Sequence, residues 1–499
     1  MNLAAIVEGH PEEALALRDH GAILTYGQLR SRVGSLRASL RGLGVEAGDR
    51  VAIAIANDSL FVVSYLAVLG VAAVAVPLNP DSPPAELEAQ LAAVDVKLTI
   101  AAPSGADAAR AIDRSGQVVE GLLVRPNGGS AADRPAVPSG AAPVAVVERA
   151  EGDLAVLMFT AGTAGAPKAA ALSHGNLLAN LEQVQRHPGR ALNTSDVVLG
   201  VLPMFHIFGL NVMLGLSLYA GASLALVQRF DPSSTLETAR AQGVTVVAGA
   251  PPMFSAWADL PGARGDELAS VRLAISGAAA LPAEVADSFE RRFGLTLWQG
   301  YGLTEASPVV TSPVVGRDHK PGSVGVPLPG VEVRLVDVDG EDALEGDPGE
   351  IWVRGANVFT GYWQDPAATA AVLTADGWLR TGDIAVADGE GYLWLVDRSK
   401  DLVIVSGFNV YPAEVEAVLL EHPGVAEAAV VGAPDPRTGE AVVAYVVAEG
   451  GHRLSVDEVI SWCATRLARY KCPAVVETVD ALPHGLAGKL LRRALRPSL

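Results

Sequence analysis

The chain has 499 residues, half of them hydrophobic and 19% charged, with 52 Gly and 32 Pro; this excludes collagen, coiled coil and wholesale disorder, and the length argues for more than one folded unit. Lys and Arg number 37 against 56 Asp and Glu, a formal net charge of −19 that opposes a general duplex-binding surface, so no nucleic-acid partner is expected. The two cysteines, Cys463 and Cys472, have no metal-like spacing, so neither a disulfide scaffold nor a thiolate zinc site is expected and a reducing cytoplasm fits.

The first residues carry Glu8, Pro11 and Glu12 and no basic start before an apolar run, which argues against a cleavable signal. Thr25 with Gln28 has the form of a capping box, and Leu29, Val33, Leu36 and Leu40 follow at helical spacing before Gly42 and Gly44. Residues 51–55 read as a strand. The uncharged run 59–80 has nearly the length of a membrane span, but Ser64, Tyr65, Gly70 and Pro77 divide it, and it predicts a buried helix followed by a buried strand. No transmembrane segment is therefore expected. A further strand at 97–101 completes a βαβ pattern, which predicts an α/β fold of mainly parallel sheets covered by helices. The Gly, Ala, Ser and Pro-rich stretch 103–142 is either a domain linker or a surface excursion within one domain. Strand signals return at 244–248 and 273–276. Beyond a break near Lys400, a helix at 412–420, strands at 425–431 and 442–447, and a helix capped by Ser455 and Glu458 predict a small α+β unit of about 100 residues.

Chemistry concentrates in a few short segments. Phe159-Thr-Ala-Gly-Thr-Ala-Gly-Ala-Pro-Lys168 could wrap polyphosphate: Gly162 and Gly165 let backbone N–H groups approach, Thr160 and Thr163 add hydroxyls, and Lys168 adds a positive charge. It lacks the Walker spacing, and read alone it is either a phosphate cradle or a surface turn. Downstream stand Gly300-Tyr-Gly-Leu-Thr-Glu305, Thr381-Gly-Asp383, Asp397-Arg-Ser-Lys-Asp401, Gly407-Phe-Asn-Val-Tyr-Pro412 and Gly488-Lys489. In order and spacing these segments resemble, over essentially the whole chain, the adenylate-forming superfamily of acyl-CoA synthetases, firefly-type luciferases and nonribosomal peptide synthetase adenylation domains. The likeness is nearest to acyl-CoA synthetases of the fatty-acid–CoA ligase kind.

The resemblance implies a large N-terminal domain, residues 1–398, that binds ATP and a carboxylic acid, and a small mobile lid domain, residues 399–499, that carries a catalytic lysine. Thr160, Gly162, Thr163, Gly165 and Lys168 take the place of the family's phosphate loop, with Ala161, Ala164 and Ala169 as departures. Two hydroxyl donors are missing, and at ~0.5 to 1.5 kcal/mol net per neutral hydrogen bond this implies weakened pyrophosphate handling rather than a dead enzyme. Gly277, Ala278 and Ala279 look like the segment lining adenine and the acyl entrance, with Ala280 replacing a proline common there. Tyr301, flanked by Gly300 and Gly302, offers an aromatic face to adenine; Thr304 contacts the α-phosphate, and Glu305 is the expected Mg²⁺ ligand. Asp383 and Arg398 are expected at the ribose, and Lys400 at the hinge.

Lys489 resembles the lysine that stabilises charge between carboxylate and α-phosphate, although His484 and Gly485 depart from the usual loop, and the helix-like run 490–496 after it supplies a basic face. His206, Gly209, Gly277 and Gly302 are expected at the acyl site, with Gly215 and Gly249 also leaving room there. Gly407 and Phe408 are expected in the CoA tunnel. The implied activity is ATP-dependent: the acid attacks the α-phosphorus, pyrophosphate leaves, and the CoA thiol then displaces AMP. Residues 207–218 and 246–254 contain no charge, which favours an apolar acid, a medium or long-chain fatty acid first and an aryl acid second. Malonyl-CoA synthesis, with Arg317 reaching in to bind a second carboxylate, and loading of a carrier protein in place of CoA are the other ligase readings. A nucleotide-binding regulator without turnover is the reading from outside enzymology. The oligomeric state is left open.

Overall fold

The computed structural model describes residues 1–19, 21–101, 117–119, 122–126, 144–160, 168–188, 191–313, 319–398, 403–405, 408–435, 438–450, 454–467, 469–484 and 490–495. The chain divides into two compact units, one of residues 1–277, 281–332 and 353–379, the other of residues 278–280, 333–352 and 380–499. No helix among the described residues is long and apolar enough to cross a membrane.

The first unit is built on two large sheets. In the seven-stranded one, Leu297–Gln299, Leu273–Ser276, Val246–Gly249, Val197–Gly200, Ser223–Leu226 and Leu15–Asp19 run parallel, and Ala22–Thr25 closes the edge antiparallel. The eight-stranded sheet is parallel only at its centre, where Leu98–Ala101, Arg50–Ala54, Val74–Pro77 and Leu154–Thr160 lie side by side. Antiparallel strands extend both flanks, with Lys168–Ser173 and then Gly361–Tyr362 on one side. On the other, Leu122–Pro126 pairs with Leu98–Ala101 and with Gln117–Val119. The described part of the Gly, Ala, Ser and Pro-rich stretch is thus a hairpin of this sheet, an excursion within one domain rather than a linker.

The helices follow from local chemistry. Thr25 and Gln28 cap each other reciprocally at the start of Tyr26–Gly42. Asp58 accepts from the Leu60 and Phe61 N–H groups to open Ser59–Gly70, which is buried from Phe61 onward and is followed by the buried strand Val74–Pro77. An all-round apolar helix of this length is a core helix, as the divided 59–80 run predicts. A second core centre is Trp257, packed against Phe230 and Phe254, with Phe254 edge-on to Phe289.

The second unit holds a four-stranded sheet, Val331–Val336, Gly349–Gly355, Leu379–Ala387 and Leu393–Arg398, whose first and third strands begin, and whose second ends, in the first unit. Its five-stranded sheet runs Phe408–Val410, Val403–Val405, Gly439–Ala448 and Val425–Asp435, with Val475–Thr478 parallel to Gly439–Ala448. The helices Pro412–Leu420 and Val456–Ala464 cover it through Val415, Leu419, Val459 and Cys463. Burial pushes the Cys463 thiol up to about 11, so it serves as a small core hydrophobe. Two local expectations need correction. Ser455 makes no side-chain cap. Residues 490–495 form no α-helix: Leu490 bridges His484, only Arg492–Ala494 forms a 3₁₀ turn, and Arg492 binds Glu416 at 2.5 Å instead of joining a solvated basic face. Packing of Leu490 and Leu495 against Val431 and Tyr445 overrides the local propensity.

His174 gives the first unit a pH-dependent stability. It is fully buried, its Nδ1 accepts the Leu3 N–H at 3.1 Å, and its Nε2 meets no partner among the described residues. Burial, with Arg149 adding to it, lowers its pKa to about 4, below the ordinary 6.5. The unfolded chain therefore takes up this proton first as pH falls, so the contribution is whole above 6.5 and drains away toward 4. Urea unfolding at pH 7.5 and 5.0 should show wild type losing about 2 kcal/mol more than His174→Gln over that interval, at 1.36 kcal/mol per pH unit. An equal loss in both proteins would remove His174 as the cause.

Candidate active site

Thr160 and Lys168 close the base of a hairpin: they face each other across Leu154–Thr160 and Lys168–Ser173, and the Thr160 hydroxyl donates to the Lys168 carbonyl at 3.4 Å. Gly162, Thr163 and Gly165 lie outside the described residues. The strand Gly361–Tyr362 pairs on the far side of Lys168–Ser173 with Tyr362 opposite Ala170. Because side chains alternate along a strand, Lys168, Ala170 and Tyr362 share one face. The Lys168 ammonium lies 5.3 Å from the centre of the Tyr362 ring.

Thr304 and Glu305 stand on a single 3₁₀ turn, Thr304–Ala306, just after the short strand Tyr301–Gly302. The Tyr362 hydroxyl donates to Glu305 Oε1 at 2.7 Å, and the Phe359 N–H donates to the Glu305 carbonyl at 2.8 Å. Burial first, and the Glu305 carboxylate second, hold the Tyr362 phenol protonated far above the usual range, so it stays a donor. Buried amides grip the backbone after Glu305. Asn357 donates to the Ala306 carbonyl at 2.8 Å and Asn211 to the Ser307 carbonyl at 2.7 Å. Asn180 donates to the Val309 carbonyl at 2.8 Å and accepts its N–H at 3.1 Å, while Gln183 links Asn180 to Asn357 at 3.2 Å on each side.

The expected acyl segment lies in the first unit. His206 is exposed, and its Nδ1 accepts the Phe208 N–H at 3.3 Å. The glycines expected to leave room face protein instead. A Cβ at Gly209 would lie 2.1 Å from the Pro203 carbonyl oxygen, at Gly215 2.8 Å from Asn211 Oδ1, at Gly249 3.0 Å from the Phe254 ring, and at Gly277 3.0 Å from the Phe208 ring. At Gly209, Gly215 and Gly277 the absent side chains permit close packing around the helix Phe208–Gly215, whose π-type turns begin two residues after His206. Tyr301 is buried, opposite Thr311.

Residues Ala278 and Ala279 belong to the second unit, Ala278 in the left-handed region at φ 69°. Asp383 is buried there and faces Arg398 across the antiparallel pair Leu379–Ala387 and Leu393–Arg398. Thr381 fixes that corner, accepting the Asp383 N–H at 3.1 Å and donating to the Ile351 carbonyl at 2.8 Å. Arg398 and Phe408 are described in their backbone alone, and Arg317, Lys400, Gly407 and Lys489 lie outside the described residues. Tyr362 and the amide cluster are absent from the sequence reading. The signal for the cluster was there: Asn176, Asn180 and Gln183 recur at helical spacing on the side of His174–Arg186 that also buries Leu177 and Leu181.

Residues 3–363 match the AMP-binding enzyme family, and residues 414–489 match the AMP-binding enzyme C-terminal domain. The chain belongs to the AMP-binding enzyme family. A feruloyl-CoA synthase of Amycolatopsis sp is 40% identical over 490 residues, covering 97% of this chain and 95% of that protein. A long-chain-fatty-acid–CoA ligase of Bacillus subtilis (strain 168) is 34% identical over 514 residues, covering 96% and 91%. The crystal structure of ATP-bound MatB from Rhodopseudomonas palustris matches with a TM-score of 0.89 at 33% identity, covering 99% of this chain and 98% of that one. This AMP-binding enzyme is an AMP-forming acyl-CoA ligase whose substrates are ATP, CoA and a small carboxylic acid.

In this ligase Gly302 is the glycine to test. A Cβ there would meet the Pro308 carbonyl oxygen at 2.3 Å, backbone that must move and carry Thr304 and Glu305 with it, whereas at Gly300 it would meet only the Thr311 carbonyl oxygen at 3.3 Å. A misplacement of ~1 Å costs on the order of 10²-fold in rate. Acid-dependent pyrophosphate exchange should accordingly fall by about that factor in Gly302→Ala and by only a few-fold in Gly300→Ala, with comparable losses contradicting the geometry.

Proposed function

We propose that this ligase activates a neutral aryl acid of the hydroxycinnamate kind and passes it through an acyl adenylate to CoA in the cytoplasm. The observation that carries the reading is the partly exposed Phe208, the far end of whose ring comes against Gly277, beside the exposed His206 and in a stretch without charged residues. An aromatic side chain at this place suits an aromatic acid, and the likeness to feruloyl-CoA synthases supports it. The fatty acid favoured by sequence is the second reading, supported by the likeness to long-chain ligases. Residues 207–218 and 246–254 offer a second carboxylate no charged partner, and burying one unpaired costs several kcal/mol, which argues against a dicarboxylate.

In the proposed mechanism Thr160, Gly162, Thr163, Gly165 and Lys168 hold the outer phosphates, and Tyr301, Gly277, Ala278 and Ala279 the adenine. Asp383 and Arg398 hold the ribose. Glu305 fits a Mg²⁺ ligand: its carboxylate is half-exposed, and the described residues hold no cluster of three or more His, Cys, Asp or Glu. That donor set suits an ion held chiefly by phosphate oxygens and water, where it would neutralise charge on the nucleotide. The acid, lying beside His206, Phe208 and Gly302, attacks the α-phosphorus and expels pyrophosphate while Thr304 and Lys489 stabilise the developing charge. Rotation about Lys400 then brings Gly407 and Phe408 to the CoA thiol, which displaces AMP.

The kcat/KM for 4-coumarate and ferulate should exceed that for octanoate and palmitate at least about tenfold, the low end of what one methylene is worth in an apolar pocket; a preference for palmitate would restore the fatty acid, and one for malonate or acetate would overturn the pocket altogether. Lys489→Ala should cut pyrophosphate exchange by ~10² to 10³ and spare thioester formation from supplied acyl adenylate. Equal loss in both half-reactions would sink the role given to Lys489.

A further inference from the structure

The residues from Phe359 to Trp363 strap the Glu305 turn to the strand that begins with Lys168. The Thr360 and Trp363 N–H groups donate to the carbonyls of Ala171 and Ala169 at 3.2 and 2.8 Å, on one side of the strap. On the other, the Phe359 N–H and the Tyr362 hydroxyl hold the carbonyl and the carboxylate of Glu305. Gly361 at φ 134° makes the turn between these contacts, and a Cβ there would strike Thr369, whose hydroxyl accepts the Tyr362 N–H at 2.9 Å. Phe359 supports the Tyr362 ring edge-on at 5.0 Å. The ring therefore has little freedom. Its hydroxyl is committed to a carboxylate and its face to an ammonium.

We propose that Tyr362 is a positioning residue that keeps the Glu305 carboxylate and the Lys168 ammonium apart and correctly aimed for MgATP, an inference that rests on reading those two residues as its ligands. Both charges are seated on this one side chain, without which they would attract each other directly and MgATP would have to open the pair before it bound. The aromatic ring prevents that closure. Its face draws the ammonium to one side, while the phenol holds one carboxylate oxygen and leaves the other for a cation.

Tyr362→Phe keeps the ring and removes the hydroxyl, so Lys168 retains its seat while Glu305 is released. Tyr362→Leu removes both. Calorimetric titration with ATP, with and without Mg²⁺, is the readout, together with the two half-reactions. Tyr362→Phe should weaken MgATP binding about tenfold, the scale of one hydrogen bond to a charged group, and raise the Mg²⁺ concentration needed for half-maximal pyrophosphate exchange. Its Mg²⁺-free ATP binding and its thioester formation from supplied acyl adenylate should stay within about twofold of wild type, since neither uses the aim of Glu305. Tyr362→Leu should in addition weaken Mg²⁺-free ATP binding. MgATP affinity unchanged in Tyr362→Phe, or both half-reactions falling together, would overturn the proposal. Glu305→Gln is the reference. If it weakens MgATP binding and Tyr362→Phe does not, the positioning role alone fails; if Glu305→Gln has no effect, the metal reading fails and this inference falls with it.

Discussion

A three-residue turn presents Thr304 and Glu305, and buried side-chain amides, not a helix or sheet of its own, set its path. The carbonyls of Ala306, Ser307 and Val309 each receive an Asn N–H from a different element: Asn357, Asn211 and Asn180. Leaving such a carbonyl buried and unpaired costs ~1 to 3 kcal/mol, so each contact is held by the penalty for losing it more than by its own strength. Gln183 joins two of the three amides, which makes their positions interdependent. Asn211 also sits five residues beyond His206, so the hydrogen bond that fixes the Glu305 turn ties it to the segment after His206 as well.

The parallel sheet explains why these segments gather at one place. Gly200, Gly249, Ser276 and Gln299 end neighbouring parallel strands, and the next residues along the chain are those of interest: the 203–209 segment, Pro251 onward, Gly277 and Gly300. In open α/β sheets the carboxyl ends of parallel strands form the natural ligand crevice, because helices return the chain on the faces and leave that edge to loops. The Gly277 N–H donates to the Gly249 carbonyl at 3.0 Å and the Gly300 N–H to the Ser276 carbonyl at 3.1 Å, continuing the ladder one residue beyond each strand. The eight-stranded sheet contributes differently. Its edge hairpin brings Lys168, and the strap residue Tyr362 crosses from far along the chain to complete the edge.

What could be read from the sequence was what neighbouring residues decide. The Thr25 and Gln28 box, the division of 59–80 at Gly70, and the tail helix 412–420 all rest on contacts within a few positions, and all are present. The signature segments were legible because their order and spacing are specific, although no single one was. Tyr362 escaped because its meaning lies in residues 57 positions upstream and further, at Glu305 and Lys168. The glycines were misread for a related reason: a missing Cβ says that something comes close, and only the fold tells whether that is substrate or the Pro203 carbonyl. Likewise Leu490 to Leu495 has helical spacing, yet its apolar residues find a sheet face at once and settle without a helix.

The tail of the second unit, from residue 403 onward, has an interior of its own. Val403, Val415, Leu419, Val430, Val446 and Val459 form one apolar cluster, and Val431, Tyr445 and Leu482 form another on the opposite side of the same sheet. Both clusters draw their members from the tail alone. The residues that bracket 485–489 are fastened to this sheet: the Leu491 N–H donates to the Pro483 carbonyl at 2.8 Å, and Leu490 packs on the second cluster. Glu416 then clamps the exit, accepting from Arg492 Nη2 at 2.5 Å and from the Val430 N–H at 2.7 Å. A bidentate guanidinium pair with a backbone donor on the same carboxylate is stiff, because each bond restricts the others. Residues 482–484 and 490–492 are therefore stiffly anchored on this sheet. Apolar clusters drawn from the tail alone are what the proposed rotation about Lys400 requires, since residues 403–495 can then turn without opening a core.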